Sequence, residues 1–159
     1  MTSDTSTPPP VTVRRVTADD HDGWAALFAG YREFYQLPDD PAAVATTWSW
    51  VVGEQHGMTG LVAEARDGSL VGLAHVRTFA RPSIGSVGLF LDDLFTDPAA
   101  RRSGVGAALL RAVSDLAAQR GASVVRWITA ADNVTARALY DELGAQTPWV
   151  TYDMVPQRY

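Results

Sequence analysis

The sequence predicts an α/β domain in which helices flank a mixed, mostly antiparallel sheet, and three observations carry that prediction. Short runs rich in Val, Leu and Ile alternate with longer stretches whose apolar residues recur every three to four positions. An Asp-Gly pair separates two apolar runs near the middle, the signature of a β-hairpin. Further on, a glycine loop joins a strand to a long amphipathic helix. The resulting order is β-α-α-β-β-β-α-β-α-β, and elements interleaved in this way imply a sheet covered on both faces.

Residues 11–16 read as the first strand. Thr17, Asp19 and Asp20 then offer helix caps. Trp24, Leu27, Phe28, Tyr31, Phe34 and Tyr35 fall on one face of a first helix, which Pro38 and Pro41 end. Residues 42–55 form a second helix with Val44, Trp48 and Val51 on one side. Strands over 60–65 and 69–79 are joined by Arg66-Asp67-Gly68-Ser69, and residues 87–96 make a central strand after a loop at 81–85. Residues 103–120 form a long helix with Val105, Leu109, Ala112, Val113 and Leu116 inward, closed by Gly121. A Val/Ile/Trp strand follows over 123–129. Asp132 and Asn133 cap a helix whose inward face is Ala136, Leu139, Tyr140 and Leu143, and Gly144 ends it. Residues 149–155 read as a last strand.

At 159 residues the chain has the size of one domain, with residues 11–159 as that domain and residues 1–10 as a disordered lead-in. There is no cysteine, which removes disulfides, thiolate zinc sites and a cysteine nucleophile. All 13 basic residues are arginines, so a Walker-type phosphate loop and a Schiff-base lysine are excluded as well. The net charge of −5 disfavours nucleic acid and favours cationic small molecules. No apolar stretch approaches the roughly 18 residues that span a membrane, and the start lacks the pattern of a signal peptide, so a cytoplasmic location is expected. His21, His56 and His75 have no metal-ligand spacing; no metal is expected, and His75 reads as a packed strand residue.

The chemistry concentrates in LDDLFTDPAARRSGVG, residues 91–106. Arg101, Arg102, Ser103, Gly104, Val105 and Gly106 stand between a strand and a helix N-terminus, where unpaired amides and a positive dipole end attract phosphate. The plain alternative is a glycine-containing helix start with two solvated arginines. The loop comes late in the chain and lacks the third glycine of a dinucleotide fingerprint. Asp92 and Asp93 interrupt the apolar strand before it. On a regular strand they fall on opposite faces, and because burying an unpaired carboxylate is costly, at least one should face a solvated site. The plain alternative is that they cap a neighbouring loop.

The R-x-x-G-x-G run at 101–106, after a strand and opening a long helix, resembles the acetyl-CoA signature of the GNAT (Gcn5-related N-acetyltransferase) superfamily. Asn133, Ala136, Tyr140 and Gly144 match its second recognisable piece, and the element order is GNAT-like throughout. LDDLFT is similar to the corresponding strand of the spermidine/spermine (diamine) and related small-amine acetyltransferases. Family members often carry Gly where this chain has Arg102.

The resemblance implies that the amides of Arg102, Ser103, Gly104, Val105, Gly106 and Ala107 hold the pyrophosphate of acetyl-CoA, the cosubstrate. Leu94, Phe95 and Thr96 are then expected to pair with its pantetheine arm as if with another strand, and Asn133 to bond it. Asp92 takes the place of the family's catalytic glutamate, its shorter side chain favouring action through water over direct proton abstraction, and Asp93 binds the substrate cation or orders the site. The amide of Leu94 is expected to stabilise the thioester oxygen and Tyr140 to protonate the departing thiolate. On spacing alone, Asn133 is a helix cap and Tyr140 a core residue. Tyr31, Glu33, Tyr35 and Trp48, from the early helices, are candidate walls of an acceptor pocket, with core packing as the alternative. The expected activity is direct transfer of acetyl to a primary amine of a polyamine, a diamine or an amino acid. The alternatives are a protein lysine or N-terminal acetyltransferase and a non-catalytic acyl-CoA sensor. Members commonly dimerise, so a homodimer is the assembly the resemblance implies.

Overall fold

The computed structural model describes residues 11–158, so the lead-in expected at 1–10 lies outside the described residues. The chain divides into two compact units, one ending at Ile128 and one beginning at Thr129. The first unit holds a five-stranded sheet ordered β1 (Val11–Arg15), β2 (Met58–Ala65), β3 (Leu70–Arg81), β4 (Ser86–Thr96) and β5 (Val125–Arg126). β1 to β4 pair antiparallel, and β5 joins β4 in parallel. Helices α1 (His21–Phe34), α2 (Pro41–Val52) and α3 (Val105–Gln119) belong to the same unit. The second unit contains α4 (Val134–Leu143). Among the described residues no helix is long and apolar enough to cross a membrane.

The signals read as punctuation act as such. Asp20 accepts the Thr17 amide at 2.7 Å before α1, and its two carboxylate oxygens each take a 2.8 Å bond from the Arg14 guanidinium, which ties β1 to the start of α1. Asp40 accepts the Ala43 amide at 3.0 Å with Pro41 in the first turn of α2. Arg66-Asp67-Gly68-Ser69 closes the β2–β3 hairpin, with Gly68 at φ +87°. Gly121 ends α3 in a left-handed conformation, the Ala122 amide reaching back to Ala117 and the Gly121 amide to Ala118.

Alternation along β3 places α1 and α3 on opposite faces of the sheet. Leu73 joins Trp24, Leu27, Phe28 and Phe95 in the core beneath α1. A side chain at the neighbouring Gly72 would meet Val105 and Leu109 of α3. Burial of Trp24, Leu27 and Phe28 stabilises this packing by about 1.5–3 kcal/mol for each side chain.

Two expected strands differ. The strand read over 123–129 pairs at two positions only, Leu89 with Val125 and Phe90 with Arg126. The strand expected over 149–155 does not form. A strand exists through the ladder bonds of a neighbour, and alternating side chains report a tendency to be extended, not the arrival of a partner.

Candidate active site

The register of β3 against β4 skips one residue. His75 lies opposite Asp93 and Val76 opposite Leu91, so Asp92 is the extra residue of a β-bulge. The bulge overturns the expectation that the two acids face opposite ways. Asp93 meets His75, Asp92 meets Arg77, and residues 75 and 77 share one face of β3. That face is the one beneath α1, because Leu73 two residues earlier packs there.

The two carboxylates have different partners. Arg77 Nε donates to Asp92 Oδ2 at 3.0 Å and to Oδ1 at 3.2 Å, while its guanidinium stacks 4.6 Å from the Phe90 ring centre. Burial pushes the Asp92 carboxyl above the ordinary range, and Arg77 opposes that shift. Asp93 Oδ2 takes a 2.8 Å bond from His75 Nδ1. The Tyr31 phenol also bonds Asp93, and burial first, then that bond, raises the phenol's pKa. Among the described residues no arginine pairs with Asp93. The cluster of Arg77, Asp92 and Asp93 therefore keeps one uncompensated negative charge beside the stacked rings of Tyr31 and Phe28, 5.8 Å apart.

The bulge also resets which backbone groups face outward. Val87 and Leu89 bond toward β5, whereas Asp97 donates to Val71 of β3 at 2.8 Å. Without an extra residue, Asp97 would turn the same way as Leu89. Counting back from Asp97, Phe95 faces β3, and Leu94 and Thr96 present N–H and C=O groups to the opposite edge. β5 pairs only as far as Phe90, and among the described residues no strand pairs with this edge beyond that point. An open edge can take an extended ligand carrying amide groups. Of the three residues expected along the pantetheine arm, Leu94 and Thr96 have that orientation. Phe95 is turned to β3, with its side chain in the core.

At the next turn, Gly104 adopts φ +83° and Arg102 φ +64°. No side chain caps α3, whose first bond runs from the Ala108 amide to Gly104. The amides of Val105, Gly106 and Ala107 thus have no helical acceptor. A side chain at Gly104 would meet nothing within 4 Å, so the helix mouth is open on that side. These features fit a diphosphate. Arg102 is exposed beside them, and the Ser103 hydroxyl donates to the Ala100 carbonyl. Arg101 instead folds back, bonding the Thr96 carbonyl at 3.3 Å and lying 5.7 Å from the Phe95 ring and 5.9 Å from Phe34.

Arg101 lines a groove of about 810 Å³ with Glu33, Gly30 and Asp97. Glu33 is exposed there, and the wall includes neither Tyr31 nor Asp93, so size alone does not locate the chemistry. Trp48 is half-buried, 5.0 Å from the ring of Trp24, and the Tyr35 ring lies tilted against that of Tyr31 at 4.8 Å. In the second unit, Asn133 occupies the cap position of α4, but its side-chain amide bonds Thr129 at 3.2 Å rather than capping. Tyr140 lies on α4, its carbonyl accepting the Gly144 amide.

Sequence reasoning missed what His75 does. It is fully buried, as a packed residue would be, yet both ring nitrogens are bonded, Nε2 to the Trp24 indole at 2.8 Å and Nδ1 to Asp93. Trp24 and Tyr31 share a helix face in the sequence, but the register that brings them to His75 and Asp93 is not visible there. Among the described residues no group of three or more His, Cys, Asp or Glu side chains could hold a metal.

Residues 24–145 match the acetyltransferase (GNAT) family. The chain is 35% identical over 133 residues to an uncharacterized N-acetyltransferase, YhfO, of Bacillus subtilis, covering 83% of this chain and 87% of that protein. It is 25% identical over 143 residues to the D-amino-acid N-acetyltransferase HPA3 of Saccharomyces cerevisiae, covering 89% of each. A crystal structure of a probable acetyltransferase superposes with a TM-score of 0.82 at 22% identity, over 93% of this chain and 99% of that one, which speaks for the fold. The chain belongs to the acetyltransferase (GNAT) family and is an acetyl-CoA-dependent N-acetyltransferase.

Proposed function

We propose that the protein transfers acetyl to a primary amine of a small cationic acceptor: a polyamine, a diamine or an amino acid. The carrying observation is Asp93, a carboxylate that accepts hydrogen bonds from His75 and Tyr31 but pairs with no arginine, beside aromatic rings. An ammonium supplies the missing charge and can stack on those rings. Amino acids belong in the class because one relative carries the name D-amino-acid N-acetyltransferase.

Acetyl-CoA supplies an activated acetyl thioester. Arg102 and the amides of Val105, Gly106 and Ala107 hold its pyrophosphate, and Leu94 and Thr96 bond its extended arm. An ammonium with a pKa of about 10 has to lose a proton before its nitrogen can attack. Asp93 binds the cation, and Asp92 receives the proton through water. A carboxyl raised by burial is the better proton acceptor for that task. The Leu94 amide stabilises the charge growing on the thioester oxygen. As the adduct collapses the C–S bond breaks; Tyr140 protonates the departing thiolate and regains the second proton that the nitrogen sheds on becoming an amide, a role that rests on the Asn133, Tyr140, Gly144 pattern.

The test is thiol release from acetyl-CoA across spermidine, putrescine, lysine, D- and L-amino acids and a basic peptide. Rapid turnover on one small amine is the expected result. Turnover on the peptide alone would move the reading to protein acetylation. Binding of CoA with no release on any of these amines would leave an acceptor outside the panel or an acyl-CoA sensor.

A further inference from the structure

Trp24, His75, Asp93 and Tyr31 form a chain of hydrogen bonds from the core to the site. An indole N–H can only donate, so the Trp24 bond at 2.8 Å makes His75 Nε2 an acceptor. Nε2 then carries no proton, and the single ring proton stands on Nδ1, where it is donated to Asp93 Oδ2. A second ring proton would have to displace the Trp24 bond. Trp24 and His75 are both fully buried, with Phe28 5.4 Å from the imidazole, so no water can take the place of the indole. His75 is thereby a neutral donor aimed at Asp93, where an arginine would have neutralised the acid.

The contrast with Asp92, which is paired to Arg77 on the same face, gives this arrangement its meaning. The groups facing Asp93 are Tyr31 and Tyr35 from α1, His75 from β3, and Asp92 from β4, whose own partner is Arg77. His75 and Tyr31 orient the carboxylate without cancelling its charge.

We propose that His75 is the positioning residue for acceptor recognition: fixed by Trp24 in the Nδ1-protonated tautomer, it holds Asp93 as a carboxylate whose missing cation is the acceptor's ammonium. The proposal rests on the reading that the acceptor is a small cationic amine. It separates His75 from the transfer step. Loss of its donor should weaken the acceptor's binding and leave the acetyl-CoA site alone.

Two measurements test it. The first needs no acceptor: ¹⁵N-resolved imidazole spectra of the full chain, with His75 identified by the signal lost in His75→Gln. Protonated Nδ1 and bare Nε2 are expected, with the Nδ1 signal moving in Asp93→Asn; protonated Nε2 overturns the proposal. The second compares His75→Leu and His75→Asn, whose side-chain amide retains a donor, on whichever of spermidine, putrescine, lysine and the amino acids the parent protein acetylates. His75→Leu should raise the acceptor KM at least tenfold, with kcat within about threefold and the KM for acetyl-CoA unchanged, and His75→Asn should recover part of the loss. A fall in kcat with unchanged acceptor KM, or no recovery in His75→Asn, overturns it. Trp24→Phe supplies a second variant in case His75→Leu fails to fold, and should raise the same KM. If no amine is turned over by the parent protein, the acceptor reading fails, while the spectra still decide the tautomer.

Discussion

The loop that opens α3 and the two acids of the cluster beneath α1 lie on the same strand-turn-helix segment, yet loop and cluster are made of different material. The loop works mainly with backbone, a left-handed Gly104 and uncapped amides, with the Arg102 side chain exposed beside them. The cluster works with side chains drawn from α1, β3 and β4, and every bond in it crosses between elements. Backbone sites are written in local sequence, because a glycine or a helix start means much the same wherever it occurs. Side-chain clusters are written in register, which depends on how distant strands align.

The comparison breaks most visibly at Asp92. Asp92→Asn should lower kcat by roughly 10²- to 10⁴-fold, the range typical of acid–base groups, with acetyl-CoA still bound. Tyr140→Phe should have an effect of the same order, for the same reason. Steady-state thiol release, alongside a separate CoA-binding titration, checks both. An Asp92→Asn variant that keeps its kcat would show that the cluster only binds, and the proton acceptor would lie elsewhere.

Asp20 tests whether the cluster depends on the seating of α1. Its carboxylate is held by Arg14 and caps the turn before α1, so Asp20→Asn should cost about 1.5–3 kcal/mol, read from urea unfolding. Bonding to Arg14, chiefly, lowers its pKa from 3.8 to about 2. The folded pKa is below the unfolded one, so this stability is present above about pH 3.8 and is lost as pH falls toward 2. The variant should lack that part of the acid sensitivity. Loosening α1 should also raise the acceptor KM more than that of acetyl-CoA, since the loop meets α1 through Arg101 and Phe34 while its uncapped amides belong to α3.

Gly104→Ala sharpens the other side. The added methyl meets open space, so only the backbone conformation at φ +83° resists it. That costs about 1–2 kcal/mol, and the loop must distort or strain to accommodate it. A rise of about tenfold in the KM for acetyl-CoA with unchanged acceptor KM is expected. An equal rise in both would mean that loop and cluster are coupled.

What was legible in the sequence follows the same division. The cap at Asp20, the Asp67-Gly68 hairpin, the Gly121 helix end and the glycine turn that opens a helix at 101–106 are local signals, and the structure realises each of them. The short β5 and the missing strand at 149–155 were not legible, because a strand needs a neighbour whose backbone lies far away in sequence. The acids were found, but not their common face, since one unopposed residue in the β3–β4 register reverses the alternation after it. His75 was set aside as packing because burial is the ordinary fate of a strand histidine. The indole that fixes its tautomer stands 51 residues away.

The smallest effect discriminates most finely within the cluster. Arg77 is the cation that opposes the burial-driven rise of the Asp92 carboxyl, and it touches Phe90 rather than Asp93. Arg77→Met keeps the apolar contact with Phe90 and removes the charge. The Asp92 carboxyl should then rise further, so a larger fraction is protonated at any given acidic pH. If Asp92 takes the amine's proton, as proposed, it has to be deprotonated first, and the acid limb of the kcat profile should move to higher pH. The plateau at higher pH should change little. The acceptor KM on that plateau should fall slightly, since a second carboxylate has become uncompensated. A limb that stays in place would mean that the group titrating in turnover is not Asp92. The two neighbouring acids would then have exchanged roles, with Asp93 taking the proton and Asp92 serving as half of an ion pair.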